Sequence, residues 1–409
     1  MTKAPAVVEG LQAQVLTENL RAAAAAVCPA APNRATLPVL SHVRVSSDRG
    51  RLLFEASDLD VTVRHWVGAK VDREGSLTVP ATFLRDVAKR LDPGEVATLS
   101  GRRTVTETIR YNEQRKLSET HEETRLTGAL VTPLAAVRFL AIDVEDFPKT
   151  TSPKGAAVTF EARPFFRALA RAMVCAAADD TRPVLTGVLL QPHDGRLQED
   201  AADGFRLAVM DAGPAPTGGE SWLVPWRAVR QMLRLFRSEE TIEVVYQADP
   251  GVLSVTGYSG EVVTRTLQGQ FPDYTKLIPE TWSTRCIVDA PAFRRAVALA
   301  GVVARDGSGI VRLEISPRGG LLVSAKAEEV GEMAMRLVAA VTGKEDRIAF
   351  NHRYLTDALA GLGDGPLTFE MTAHHSQGVF RGADGPDLYV VMPMFVQWED
   401  KPAAKRGAA

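Results

Sequence analysis

Few residues in this chain have types and spacings that could do covalent or metal chemistry. His374 and His375 are adjacent but have no cysteine or acidic partner at ligand spacing, and adjacent residues of a strand would face opposite sides. Asp179 and Asp180 form a carboxylate pair that could exchange protons, but just before Thr-Arg-Pro they serve equally well as turn residues. The string GLGDGP from Gly361 has the glycine spacing of a phosphate loop; it follows a helix-like pattern instead of a strand, so it reads as a helix C-cap and turn. No Walker-type loop, His-Glu-x-x-His helix or Gly-x-Ser-x-Gly elbow occurs, so we expect a non-catalytic protein with no cofactor and no metal.

The remaining chemistry is electrostatic. In WRAVRQMLRLFR, Arg227, Arg230, Arg234 and Arg237 recur at i, i+3, i+7 and i+10, opposite Val229, Met232, Leu233 and Phe236. Arg85 and Lys89, and again Arg167 and Arg171, stand four residues apart on other helical stretches. Each stripe alone reads as a solvated helix face. Recurrence in corresponding places weighs toward phosphate contact.

Those stretches belong to a repeated plan. A helix-like run leading into a strand occurs as ENLRAAAAAVC before RATLPVLSHVRV, as RPFFRALARAMVC before TRPVLTGVLLQP, and more weakly as PAFRRAVALAGVV before SGIVRLEISP. A glycine-led strand pair follows from Gly50, Gly195 and Gly319, with the alternation of half-buried antiparallel strands. A strand then enters a helix through Pro80, Pro225 and Asn351, a slot where proline suits the first helical turn. These markers are offset by 145 and 126 residues, a domain-sized period, and the extra length of the first copy near 100–130 reads as a lengthened, charged hairpin loop. The expected architecture is α+β, three tandem domains at 1–153, 154–283 and 284–396 with a tail at 397–409, each with two helices on one face of antiparallel sheet.

With 409 residues, 45% of them hydrophobic, the chain can bury several cores. It lacks a leader-like N-terminus and any long apolar run, so a cytoplasmic location with no membrane partner is expected. Cys28, Cys175 and Cys286 are too few and scattered for a disulfide framework and are expected to be buried. A net charge of −2 fits no nucleic-acid-coating protein, but it leaves room for local basic stripes.

The phrases RATLPVLSHV, TRPVLTGVLL, ADGFRLAVMD, FPDYTKLIP, FNHRYLTDAL and YVVMPM, in this order over residues 12–396, make the chain similar to the beta subunit of bacterial DNA polymerase III, the beta sliding clamp family. The resemblance implies three DNA-clamp domains per chain, helices lining an inner face and sheets outside, and a head-to-tail homodimer ringing double-stranded DNA. It implies a pocket for apolar-ended peptides of the polymerase III alpha subunit, clamp loader and repair proteins. Leu185 would form one wall, with Gly204, Phe205, Arg206 and Leu207 around one half and Pro272, Lys276 and Leu277 beside them. Asn351, Tyr354, His375, Gln377, Val390, Val391, Met392, Pro393 and Met394 would complete it. Arg34 matches a family residue that approaches the duplex, and Arg182 is its counterpart by position.

The chain departs from the family pattern near that pocket. Phe205 stands where histidine is usual, Ala202 where threonine is common, and Phe395 and Val396 replace a basic–leucine ending. A divergent or additional clamp with altered peptide or inhibitor preference would carry such changes. Two other classes compete: a strand-rich DNA-binding regulator using the arginine helix, and a hydrolase using Asp179, Asp180 and the histidines.

Overall fold

The computed structural model describes residues 6–112, 117–179, 181–216, 219–383 and 385–398, with backbone only over 107–112 and 117–122. Asp180 and tail residues 399–409 lie outside the described residues. Among the described residues there are six α-helices, two for each repeat: α1 Thr17–Val27, α2 Ala81–Ala88, α3 Ala162–Ala172, α4 Trp226–Leu235, α5 Ala290–Ala304 and α6 His352–Gly361. No helix among them is long and apolar enough to cross a membrane. Strands pair antiparallel throughout the registers described, giving the expected α+β class.

The strand-to-helix slot lies one residue earlier than expected. Pro80 and Pro225 end their strands and act as N-caps with extended ψ, so they precede the first turn. Proline is tolerated there because its fixed φ suits the entry and the cap residue's own N–H is not needed by the helix. Asn351 fills the third slot differently, accepting a hydrogen bond from the Arg353 N–H at 2.9 Å.

The chain forms two compact units, residues 1–166 with 224–266, and residues 167–223 with 267–409. In the first unit one sheet runs through strands Ala136–Leu140, Leu117–Val131, Val96–Asn112, Ala6–Leu16, Val61–Arg73, Gly260–Arg265, Val252–Thr256, Thr241–Gln247 and Val158–Glu161. The expected hairpin loop near 100–130 is instead two long strands, paired from Thr98–Val131 out to Asn112–Leu117, and residues 113–116 lie outside the described residues. Charged residues there alternate with Thr and Val, so strand pairing continues well past the core. Strand Val61–Arg73 of the first repeat pairs with Gly260–Arg265 of the second, Val63 opposite Val262. Half-buried Arg64 ties the same joint, donating to Glu261 at 2.7 Å and to Glu55 at 3.0 Å. Leu20, Phe54, Leu84, Phe165 and Phe236 are among its fully buried side chains.

The second unit repeats that joint. Arg206–Pro214 of the second repeat pairs with Leu388–Val391 of the third, Ala208 opposite Tyr389, within a sheet that also holds Gly187–His193, Arg196–Ala202, Gly378–Arg381, Pro366–Met371, Thr284–Asp289 and Ala339–Gly343. A four-stranded sheet runs Gly331–Leu337, Gly320–Ala327, Ile310–Ser316, Asp346–Asn351. In both joints the second strand of the glycine-led pair meets the closing strand of the next repeat.

Candidate peptide-binding site and cationic helix faces

All the residues expected at the pocket fall in the second unit. Leu207 and Val390 sit opposite each other on paired strands and bury together with Val209, Val379 and Leu388. Ala202, Tyr274 and Ile278 pack against that cluster. The small methyl of Ala202 is therefore in direct apolar contact, where a hydroxyl would need a partner. Val391 is buried between Arg206 and Gly378 of the flanking strands.

The turn between strands Arg196–Ala202 and Arg206–Pro214 is shaped by Asp203, whose Oδ1 accepts from the N–H groups of Phe205 at 2.9 Å and Arg206 at 3.0 Å. Gly204 takes φ +91°, which a side chain disfavours, and a Cβ there would sit 3.6 Å from the Arg182 guanidinium. Arg206 is nearly buried, paired with Asp203 at 3.0 Å and with Asp357, and its guanidinium lies 4.5 Å from the Tyr354 ring centre. Phe205 stacks on the same ring at 6.4 Å and 20°, yet stays 60% exposed. Replacing histidine by Phe205 thus presents an uncharged aromatic face to solvent.

Further backbone bonds draw the other elements in. The Met392 N–H donates to the Phe205 carbonyl and the Met394 N–H to the Ala349 carbonyl, both at 2.8 Å. Gln377 Nε2 donates to the Leu277 carbonyl at 3.0 Å. Leu277 and Met392 remain exposed, Pro393 is half-buried, and Pro272, Lys276 and His375 present exposed side chains. Leu185 is buried in the turn Pro183–Thr186, outside the Leu207–Val390 cluster. Sequence reading missed Tyr274, Ile278 and Asp357. Asp357 was legible as the residue three after Tyr354 on one helix face.

No group of three or more potential metal ligands exists among the described residues. His374 and His375 occupy a turn instead of the expected strand, their rings edge-on at 4.9 Å. Asp179 is a turn residue, accepting from the Thr181 N–H at 2.8 Å. The glycine string near Gly361 ends α6, with Gly363 at φ +79°. The three cysteines are buried, and burial pushes the Cys28 and Cys286 thiols up to about 12.

Three arginines of the expected cationic stripe, Arg227, Arg230 and Arg234, lie along α4, and Arg237 falls in the turn after the helix ends at Leu235. Arg227, Arg230 and Arg237 are exposed and Arg234 half-exposed, while Ala228, Val229, Gln231, Met232, Leu235 and Phe236 are buried; Leu233, expected in the core, is only half-buried. Arg227 and Arg230 flank the Trp226 ring at 5.8 and 5.2 Å. Among the described residues none of the four guanidiniums pairs with a carboxylate. Partial burial, then repulsion from Arg230 and Arg237, pulls the Arg234 pKa below its usual value. Arg34, Lys89, Arg167 and Arg182 are exposed, and Arg85 pairs with exposed Asp86 at 3.0 Å. Arg171 differs: it is largely buried and paired with Asp387 at 2.9 Å, so the exposed cations of α3 are Arg163 and Arg167. In the third repeat Arg295 and Arg353 are exposed and were missed, because a weaker copy hid their helical phase. Neighbouring Arg294 turns inward and donates to the Leu359 carbonyl at the end of α6.

Sequence models of the DNA polymerase III beta subunit N-terminal, central and C-terminal domains match residues 11–123, 159–273 and 275–395. The chain belongs to the DNA polymerase III beta subunit family. That family is the beta sliding clamp, a non-catalytic processivity factor of DNA replication. The beta sliding clamp of Synechococcus elongatus is 27% identical over 379 residues, covering 90% of this chain and 95% of that protein. In fold, the chain is similar to the C. crescentus beta sliding clamp, with a TM-score of 0.83, 23% identity and coverage of 95% and 99%. It is also similar to the Bartonella birtlesii sliding clamp solved bound to griselimycin, with a TM-score of 0.82, 24% identity and coverage of 94% and 100%.

Proposed function

We propose that two copies of this chain close head-to-tail into a ring around duplex DNA in the cytoplasm, and that the ring tethers the polymerase III alpha subunit, the clamp loader and repair proteins by peptides bound at the Leu207–Val390 cleft. The observation that carries this reading is the repeated joint. Closing strands Gly260–Arg265 and Leu388–Val391 each pair with a strand of the preceding repeat. Ala136–Leu140, the closing strand of the first repeat, ends its sheet, and so does Gly331–Leu337, the corresponding pairing strand of the third. Open edges of this kind invite pairing, and a second copy satisfies both by a rotationally closed contact. The three repeats, taken as domains 1–153, 154–283 and 284–396, then recur six times around one closed path.

The unpaired guanidiniums of α4, with Arg34, Arg85, Lys89, Arg167 and Arg182, supply a cationic lining; Arg295 and Arg353 extend it. Enclosure provides retention, so these contacts need only be modest and salt-sensitive. Retention on closed circular DNA with release from linear DNA is the expected outcome, measured by gel filtration of loaded protein; equal loss from both substrates would overturn the ring.

At the cleft, apolar burial supplies affinity and the flanking polar groups set register. Phe205 makes this a divergent or additional clamp with its own peptide preference. A labelled peptide ending in Leu-Phe is expected to bind wild type and Phe205→His with different affinities, and griselimycin, with which the Bartonella birtlesii clamp was solved, is a second ligand to compare on the two chains. Identical affinities would remove Phe205 from the site.

A further inference from the structure

The C-terminal segment beyond the closing strand is attached at three points. Met392 is bonded to the Phe205 carbonyl, on the turn contributed by the second repeat. Met394 is bonded to the Ala349 carbonyl, on strand Asp346–Asn351, which ends the four-stranded sheet of the third repeat. Four residues on, the Trp398 ring lies 4.9 Å from the Arg347 guanidinium and 5.8 Å from that of Arg312. Arg312 stands opposite Ala349 and Arg347 opposite Glu314, so both arginines rise from one face of adjacent strands. Between the second and third attachments the chain has little hold: Phe395 is 91% exposed and Gln397 is exposed.

We infer that residues 392–398 form a strap that holds the outer wall of the peptide cleft, and that Trp398, seated between Arg312 and Arg347, is its anchor. The inference rests on the reading of that cleft as the peptide site. Trp398 is a positioning residue: it acts through Met392, Pro393 and Met394, the segment assigned to the cleft wall above, by limiting how far they move before a peptide arrives. Two cation–π contacts on one ring add to the backbone bonds of Met392 and Met394 in holding this short segment. A wall ordered in advance binds more tightly because it gives up less freedom on binding. The residues after the methionine–proline–methionine phrase thereby serve the same site that the phrase lines.

The test uses the full-length chain and a fluorescein-labelled peptide ending in Leu-Phe. Trp398→Ala is expected to weaken binding about five- to tenfold, while Trp398→Phe, which keeps a π face, stays within about twofold. The unfolding midpoint of both variants is expected to stay within about a degree of wild type. Combining Trp398→Ala with Arg312→Gln is expected to weaken binding no further, because both substitutions remove the same interaction. Wild-type affinity in Trp398→Ala would overturn the strap, as would equal weakening in the alanine and phenylalanine variants. If the wild-type chain itself does not bind the peptide, the cleft reading fails instead.

Discussion

Asp200 is fully buried on strand Arg196–Ala202, and burial raises its carboxyl from 3.8 to about 7 even though it accepts from Tyr274 and, at 2.7 Å, from Gln191. Its neighbour Glu199 is equally buried, both of its oxygens without a hydrogen-bond partner, and is pushed well above the usual carboxylate range by burial and then by the charges of Asp200, Asp387 and Asp211. Since Asp200 keeps its proton longer folded than unfolded, its contribution to stability is full below about pH 4 and is lost as pH rises toward about 7. Asp200→Asn, a fixed analogue of the protonated form, is therefore expected to gain about 2–4 kcal/mol relative to wild type between pH 4 and pH 8. Urea unfolding across that range checks it; a pH-independent difference would exclude the linkage. Because Tyr274 also packs on the Leu207–Val390 cluster, this buried carboxyl is coupled to that cluster through one side chain. Nothing in the residue types alone distinguished Asp200 from a surface acid: its burial comes from paired strands on both sides.

At the scale of elements, helix starts decide local stability. Asp289 caps α5, accepting from the Ala292 N–H at 2.9 Å, so Asp289→Ala is expected to cost about 1 kcal/mol, read as a lower unfolding midpoint. Arg227, Arg230, Arg234 and Arg237 lack carboxylate partners among the described residues and Arg230 and Arg237 repel Arg234, so charge removal relieves repulsion and would erase the proposed phosphate contact. Replacing Arg227, Arg230, Arg234 and Arg237 by Gln is expected to leave the fold intact. It should also flatten the salt dependence of duplex binding by about one logarithmic unit for each phosphate no longer neutralised. Fluorescence anisotropy at several salt concentrations measures this; an unchanged slope would mean that α4 is an ordinary solvated face. The stripe itself was legible because helical period alone sets it. Arg171 was not, since its pairing with Asp387 joins residues far apart in the chain.

For the whole molecule, the open strands Ala136–Leu140 and Gly331–Leu337 predict a dimer of twice 44.2 kDa. Leu140 is 61% exposed at the end of the first of these, so a charge there disturbs the folded chain little but the subunit joint strongly. Leu140→Asp is expected to sediment as a folded monomer at concentrations where wild type is a dimer; a variant still dimeric would place the joint elsewhere.

The sequence by itself determined the three-fold repetition, the α+β class, the family phrases and the phase of the basic residues of α4, because periodicity and turn chemistry are local. The tertiary structure decided what depends on distant partners. It extended the long hairpin as paired strands, turned Arg171 and Arg294 inward, buried Asp200, and seated Trp398 on two arginines of other strands. Pairing register and burial are set by segments widely separated along the chain, and no local pattern encodes which of them will meet.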